Sequence, residues 1–290
     1  MKRSMGEKTF SVFNTIFLVI LAAVTLFPFI YVLAASFSSP EFINRGSVWL
    51  WPVGFTTDAY AKVFEKNGLW LAYANSFFYM IVGTLVCVIM TICGAYPLSK
   101  NRLVGRRAIN LMVTFTMWFS AGMIPVYLNF KSFGLINSRW AIIFGFACNA
   151  YEFILLRTYF SSIPEEMEEA AKIDGANDFL TMIKIYTPLA IPSLATISLF
   201  YAVSKWNGYL WPMILLNDDE KIPLQVVLKK LVADMSGRME SVAYGIDESN
   251  TSEDSVMYAT MVFSIVPMLV LYPFVQKFFI KGIMLGGVKG

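Results

Sequence analysis

No histidine occurs anywhere in the 290 residues. That one absence removes the commonest zinc ligand, the usual base of a hydrolase triad and the histidine type of proton relay. Cysteine is nearly as scarce. Cys87, Cys93 and Cys148 all fall inside apolar stretches without C-x-x-C spacing, so neither a disulfide framework nor a metal site is supported, and they read as small buried hydrophobes. No G-x-x-x-x-G-K-[ST] run is present, so any ATP that powers this chain is bound by another. Charge is thin as well: 15% of residues are charged against 57% hydrophobic, with a mean hydropathy of +0.60. This is the composition of a polytopic membrane protein. The net charge of +3 is small, and the basic residues are scattered among loops, so membrane orientation accounts for them and no nucleic-acid partner is implied.

What is present is a succession of apolar blocks. Six spans are expected, over about 10–35, 72–96, 109–130, 140–160, 188–211 and 258–280, in an all-α membrane protein that forms one transmembrane domain over 1–290. Lys2, Arg3 and Lys8 precede the first block, and Lys100, Arg102, Arg106 and Arg107 follow the second. These basic clusters mark the cytoplasmic side and put both termini there. Segments 36–71 and 212–257 are then external loops. The first holds Trp49 and Trp51 and a short helix capped near Thr57. The second holds an amphipathic helix, with Leu224, Val227, Leu228, Leu231, Val232 and Met235 on one face, and then the polar run Asp247 to Ser255, expected to be mobile.

The one substantial charged island between apolar blocks is 161–187, expected in the cytoplasm. Ser161 or Ser162 can cap a helix, Pro164 suits its first position, and Glu165, Glu166, Glu168 and Glu169 load the end that the helix dipole makes positive. Gly175 is a natural stop, giving a helix of about three turns. Glu169-Ala170-Ala171, then Asp174-Gly175-Ala176, then Ile185 and Pro188 resembles the EAA signature of permease subunits in binding-protein-dependent ABC importers. Thr187 stands where that family usually has Leu. The resemblance implies a type I importer permease fold and a coupling helix that sits in a groove of an ATPase subunit. It makes Glu169 the polar contact to an ATPase basic residue, with Ala170, Ala171 and Gly175 as close-packing positions beside Glu165, Glu166 and Asp174. It also implies that this chain binds no cofactor, with ATP and Mg on separate ATPase subunits, and that it is not an enzyme.

Two intramembrane charges need places. Arg157 sits near the inner end of the fourth span and can snorkel, whereas Glu152 must face a partner helix or a polar cavity. Lys205, about 25 Å of helix from Pro188, is expected to snorkel at the outer interface. The outer part of the fifth span, YAVSKWNGYLW, offers Tyr201, Trp206, Asn207 and Tyr209. Their ring faces suit sugar C–H patches and their polar groups suit hydroxyls, though an interfacial aromatic belt reads equally well.

Trp206-Asn207, with Tyr272 to Lys277 and Lys281-Gly282 near the end, is similar to the carbohydrate-uptake permeases related to the maltose importer, and specifically to the second of their two permease subunits. Within these it looks like a branch handling complex oligosaccharides, including acidic ones. That resemblance implies as partners a homologous second permease, two ATPase subunits, an external solute-binding protein and a sugar, in the bacterial inner membrane. It also implies a short glycine-rich tail over 282–290 that reaches the ATPase interface. Competing readings are an ABC permease for another solute such as a peptide, a stand-alone secondary transporter, and an intramembrane enzyme. Missing internal repeats and missing paired intramembrane carboxylates weigh against the second, and missing histidine against the third.

Overall fold

The computed structural model describes residues 5–65, 67–243 and 252–287. All regular elements among them are helical. They fall into two compact units, one drawn from Met1–Leu69 and Leu228–Val266, the other from Trp70–Val227 and Pro267–Gly290.

In the first unit, α1 (Met5–Ser36) is apolar on every side and contains Pro28. A helix of that kind satisfies its backbone internally and can leave its side chains to lipid. Its most apolar window is exposed throughout. Behind it come α2 (Pro40–Asn44) and α3 (Asp58–Glu65). Thr57 stands just before α3, its carbonyl accepting from the Ala61 N–H at 3.1 Å, and Thr56 Oγ1 accepts from the Asp58 N–H at 3.1 Å. Ala34, Ala35, Ile43 and Val48 pack with Met257 and Tyr258 to make this unit's core.

In the second unit, α4 (Asn67–Ser99) is a long apolar helix that ends two residues after Pro97. Where one span is expected over 109–130, there are two helices, α5 (Arg106–Trp118) and α6 (Met123–Ser132), meeting at 118°. Phe119 leaves α5 in an extended conformation, and Gly122, whose φ of +86° suits glycine, stands just before the first turn of α6. The block over 140–160 is likewise divided, into α7 (Arg139–Phe144) and α8 (Ala150–Ser161). Ser138 caps the one and Asn149 the other, each accepting from an N–H two residues on. Two caps within one apolar block are two helix starts.

After α8 come α9 (Glu166–Ile173), α10 (Asp178–Thr181), a π-helical turn at Met182–Tyr186, α11 (Thr187–Leu189), α12 (Ile191–Asn207) and α13 (Leu210–Leu215). The segment Asp178–Leu189 and α12 meet at 85°. Pro188 has no N–H to give the preceding turn, and the π-turn is the local widening that accommodates it. Thr187 completes the repair, its Oγ1 donating to the Met182 carbonyl at 2.8 Å. The residue that departs from the usual I-x-L-P ending thus has a backbone role.

The expected amphipathic helix is present as α14 (Leu224–Ala243), with Leu224, Val226 and Leu228 buried. Ser76 accepts from its Leu224 N–H at 2.8 Å. The final helix, α15 (Ser252–Gly287), continues through 282–287, where a flexible tail is expected. Most of the polar run Asp247 to Ser255 lies outside the described residues. Among the described residues, α1 and α4 are each long and apolar enough to cross a membrane, and the number rises to four if each bent pair counts as one crossing.

Candidate functional site

The island over 161–187 folds as a docked helix with a saturated base. The helix is shorter than expected, eight residues from Glu166 to Ile173. Neither Ser161 nor Ser162 caps it: Ser161 Oγ donates to the Ser99 carbonyl and Ser162 Oγ to the Tyr159 carbonyl, both serving what comes before. Its other end closes as read from the sequence. Gly175 takes φ +81°, the Gly175 N–H bonds the Lys172 carbonyl and the Ala176 N–H bonds the Ala171 carbonyl, which is the Schellman arrangement.

Glu168 holds this helix to the rest of the unit. It is 5% exposed, and its carboxylate accepts from Lys100 at 2.5 Å, from Lys172 at 2.7 Å and from Arg102. Arg102 also reaches Asp178 at 2.6 Å. Lys100 Nζ lies 3.4 Å from the centre of the Tyr186 ring and 4.7 Å from that of Tyr96, so one cation ties the end of α4, α9 and the π-turn together. Burial alone would raise the Glu168 carboxyl. The hydrogen bonds from Lys100, Lys172 and Arg102 overcome it and hold the group at about 2. The hydrogen bond to Glu168 in turn raises the Arg102 guanidinium above its ordinary value.

The outer face of the same helix presents Glu165, Glu166, Glu169, Ala170, Asp174 and Gly175, all exposed. Ala171 is buried beneath it and so lies off the face on which the sequence places it. Ile173, 86% exposed, joins the face and was missed. Glu168 with Lys100 and Arg102 was missed as a unit, although the acidic helix and the basic loop were both read as cytoplasmic.

The second constellation lies at the opposite end of α12. A cavity of about 400 Å³ is lined by Asn149, Glu152, Tyr201, Lys205, Asn207 and Tyr209, among others. Glu152 stands in the first turn of α8, 7% exposed, and its Oε2 has no hydrogen-bond partner. Thr91 Oγ1 gives its proton to the Cys87 carbonyl, so Tyr201 donates to Thr91 at 2.8 Å, while its oxygen accepts from the Asn149 N–H at 3.4 Å. Lys205 does not snorkel. Its Nζ donates to the carbonyls of Ile142, in the last turn of α7, at 2.9 Å and of Phe146, just beyond it, at 3.4 Å. Trp206 is the expected pathway residue that the cavity excludes. It is 1% exposed and packs edge-on against Tyr73 and Phe77 at 5.6 and 5.1 Å. Neighbours on a helix point about 100° apart, so a stretch read as one polar patch is divided between cavity and core.

The unit thus holds an exposed acidic helix and, apart from it, a polar cavity. The family model for the binding-protein-dependent transport system inner membrane component matches residues 8–285. The chain belongs to that family. Relatives of this permease include the polygalacturonan/rhamnogalacturonan transport system permease protein YtcP of Bacillus subtilis, 41% identical over 99% of this chain and 100% of that protein. The arabinooligosaccharides transport system permease protein AraQ of Halalkalibacterium halodurans is 28% identical over 95% of each. Among solved structures, a bacterial ABC transporter involved in the import of the acidic polysaccharide alginate contains a chain that superposes with a TM-score of 0.86. Their identity is 43%, over 96% of this permease and 99% of that chain.

The permease therefore has the type I ABC importer permease fold and is a multi-pass protein of the bacterial inner membrane. Permease subunits of this family are not enzymes, and they work with a partner ATPase and a solute-binding protein.

Proposed function

We propose that this permease forms half of the translocation pathway of an ATP-driven importer for an oligosaccharide, with acidic polysaccharide fragments as the substrate class. The observation that carries this reading is the full-length 41% identity to a permease named for polygalacturonan/rhamnogalacturonan transport. The 43% identity to a chain of an alginate importer supports it. The chain crosses the membrane six times with both termini in the cytoplasm, as one transmembrane domain, the bent helices counting within their spans. It pairs with a homologous second permease and stands on two ATPase subunits, which bind the ATP and Mg. This chain itself binds no cofactor.

In this mechanism, closure of the ATPases moves the helix over Glu165 to Gly175. Glu169 pairs with a basic residue of the ATPase groove, and Ala170 and Gly175 allow close approach. The motion passes through Glu168 to Lys100 at the end of α4 and through Lys100 to Tyr186 ahead of α12. Those helices rock the cavity around Glu152, Tyr201, Asn207 and Tyr209 toward the external binding protein, which delivers the sugar. Trp206 supports that wall from behind.

The test is uptake by the assembled importer in proteoliposomes loaded with ATP, using radiolabelled galacturonate and mannuronate oligosaccharides, neutral oligosaccharides and a tripeptide. Saturable uptake of a uronate oligosaccharide is the expected result. Uptake of the tripeptide alone would make this an importer of another solute class.

A further inference from the structure

Just beyond the end of α1 the chain holds large apolar side chains out of its own core. Trp49 is 68% and Trp51 79% exposed, and Leu50 and Phe55 are exposed beside them. The segment that carries them is firmly tied. Val48 is buried in the core of its unit. Ser38 Oγ donates to the Ala34 carbonyl and accepts from the Val53 N–H at 3.0 Å. The Ser39 N–H bonds the Gly54 carbonyl and the Thr56 N–H the Phe37 carbonyl, both at 3.0 Å. Gly54 takes φ +62°, and a Cβ there would meet the Phe42 ring at 2.8 Å, so the turn requires glycine. Phe55 stacks on Phe37 with ring centres 5.6 Å apart. An ordered segment, anchored to the last turn of α1, therefore presents these side chains.

Its place along α1 and its lack of charge both point to lipid. Residues 16–35 of α1 carry no charge, and at 1.5 Å per residue they reach about 30 Å, the thickness of the hydrocarbon core. The tied segment begins where that run stops. Residues 46–57 carry no charge either, and the charges around them, Glu41, Arg45, Asp58, Lys62 and Glu65, lie in or beside α2 and α3. We infer that Trp49, Leu50, Trp51 and Phe55 form a lipid-binding surface that rests in the headgroup boundary of the bilayer and pins the end of α1 there. It continues the exposed apolar surface of α1, and tryptophan, with an apolar body and one N–H, suits that boundary. A protein partner would find no charge over 46–57 to orient it. The surface is independent of the substrate, and its external side follows from the orientation proposed above.

The experiment is tryptophan fluorescence of the complete importer in phosphatidylcholine nanodiscs, made with ordinary lipid or with lipid brominated high on its acyl chains. Subtracting the spectrum of the Trp49→Phe/Trp51→Phe complex from that of wild type isolates the emission of these two rings, because every other tryptophan is common to both. Bromine quenches from within the bilayer, and iodide quenches from the water. The expected result is loss of most of the difference emission in brominated discs, with a much smaller loss to iodide in ordinary ones. Should the double variant not assemble, Trp49→Phe and Trp51→Phe taken singly each isolate one ring. Difference emission that iodide removes and brominated lipid leaves intact would put the rings in water and overturn the inference. Emission that resists both quenchers would mean that a protein chain covers the surface, and would overturn it as well. Repeating the iodide series with the loaded binding protein added completes the test: protection from iodide that appears only then would assign the surface to that partner instead of lipid.

Discussion

Glu168 and Glu152 are both buried glutamates on successive helices of one unit, and their surroundings are opposite. Three cations surround Glu168: Lys172 lies on α9 itself, and Lys100 and Arg102 join α9 to another part of the unit. Glu152 has an oxygen with no partner at the wall of a cavity. Burial costs both groups the same kind of solvation, so the difference lies in what is done about it. At Glu168 the protein supplies the counter-charges itself, which makes a rigid joint. At Glu152 Oε2 it supplies no partner.

The comparison is broken most directly by neutralising each group in turn. Glu168→Gln should destabilise the purified complex by about 3–5 kcal/mol, because Lys100 is left buried without its carboxylate. A thermal shift of the co-purified complex would measure it, and a melting temperature equal to wild type would show that the joint is not made by Glu168.

Acid should weaken the same joint. The folded-state value of about 2 lies below the ordinary 4.5, so the Glu168 contribution is complete above about pH 4.5 and is lost as the pH falls toward about 2. A pH series of melting temperatures should therefore fall more steeply across that window for wild type than for Glu168→Gln. Parallel slopes would contradict the assignment.

Glu152→Gln should have the opposite sign. Removing an unpartnered buried charge should leave stability unchanged or raise it by up to about 1–3 kcal/mol, read in the same thermal assay. A loss comparable to that of Glu168→Gln would mean that Glu152 is a structural partner rather than an open acceptor.

The smallest expected effect on folding belongs to Gly175→Val. A left-handed backbone costs a β-branched residue about 1–2 kcal/mol, and nothing lies within 4 Å of the position a Cβ would take, so assembly should survive. Transport per ATP hydrolysed should fall severalfold as the Schellman turn and the docking face loosen. Normal uptake in this variant would sink the coupling role of the helix.

The two ends were not equally legible in the sequence. Helix α9 announces itself because its signals are local: an acidic first turn, E-A-A spacing, and a glycine that only a left-handed turn requires. Ser161 and Ser162 misled because a hydroxyl near a helix start is also near the previous helix's end, and here the earlier partners take it. Glu168 was read only as one of four dipole-loading glutamates, since its partners Lys100 and Arg102 are distant in sequence and became neighbours through packing. The cavity was legible in type but not in detail. Tyr201, Asn207 and Tyr209 line it together with Glu152, while Trp206 turns into the aromatic cluster with Tyr73 and Phe77. Lys205 found backbone carbonyls nearer than the interface. Apolar block length also concealed the breaks at Gly122 and Asn149, where a left-handed glycine and a side-chain cap outweigh continuous hydropathy.

The measurement that tests the central claim most directly is co-purification of this permease from native membranes, followed by ATP hydrolysis assays on whatever complex is recovered. The account predicts a second permease and an ATPase in the complex, with hydrolysis raised by a binding protein loaded with a uronate oligosaccharide. Recovery of the chain alone, or as a homo-oligomer without an ATPase, would contradict it.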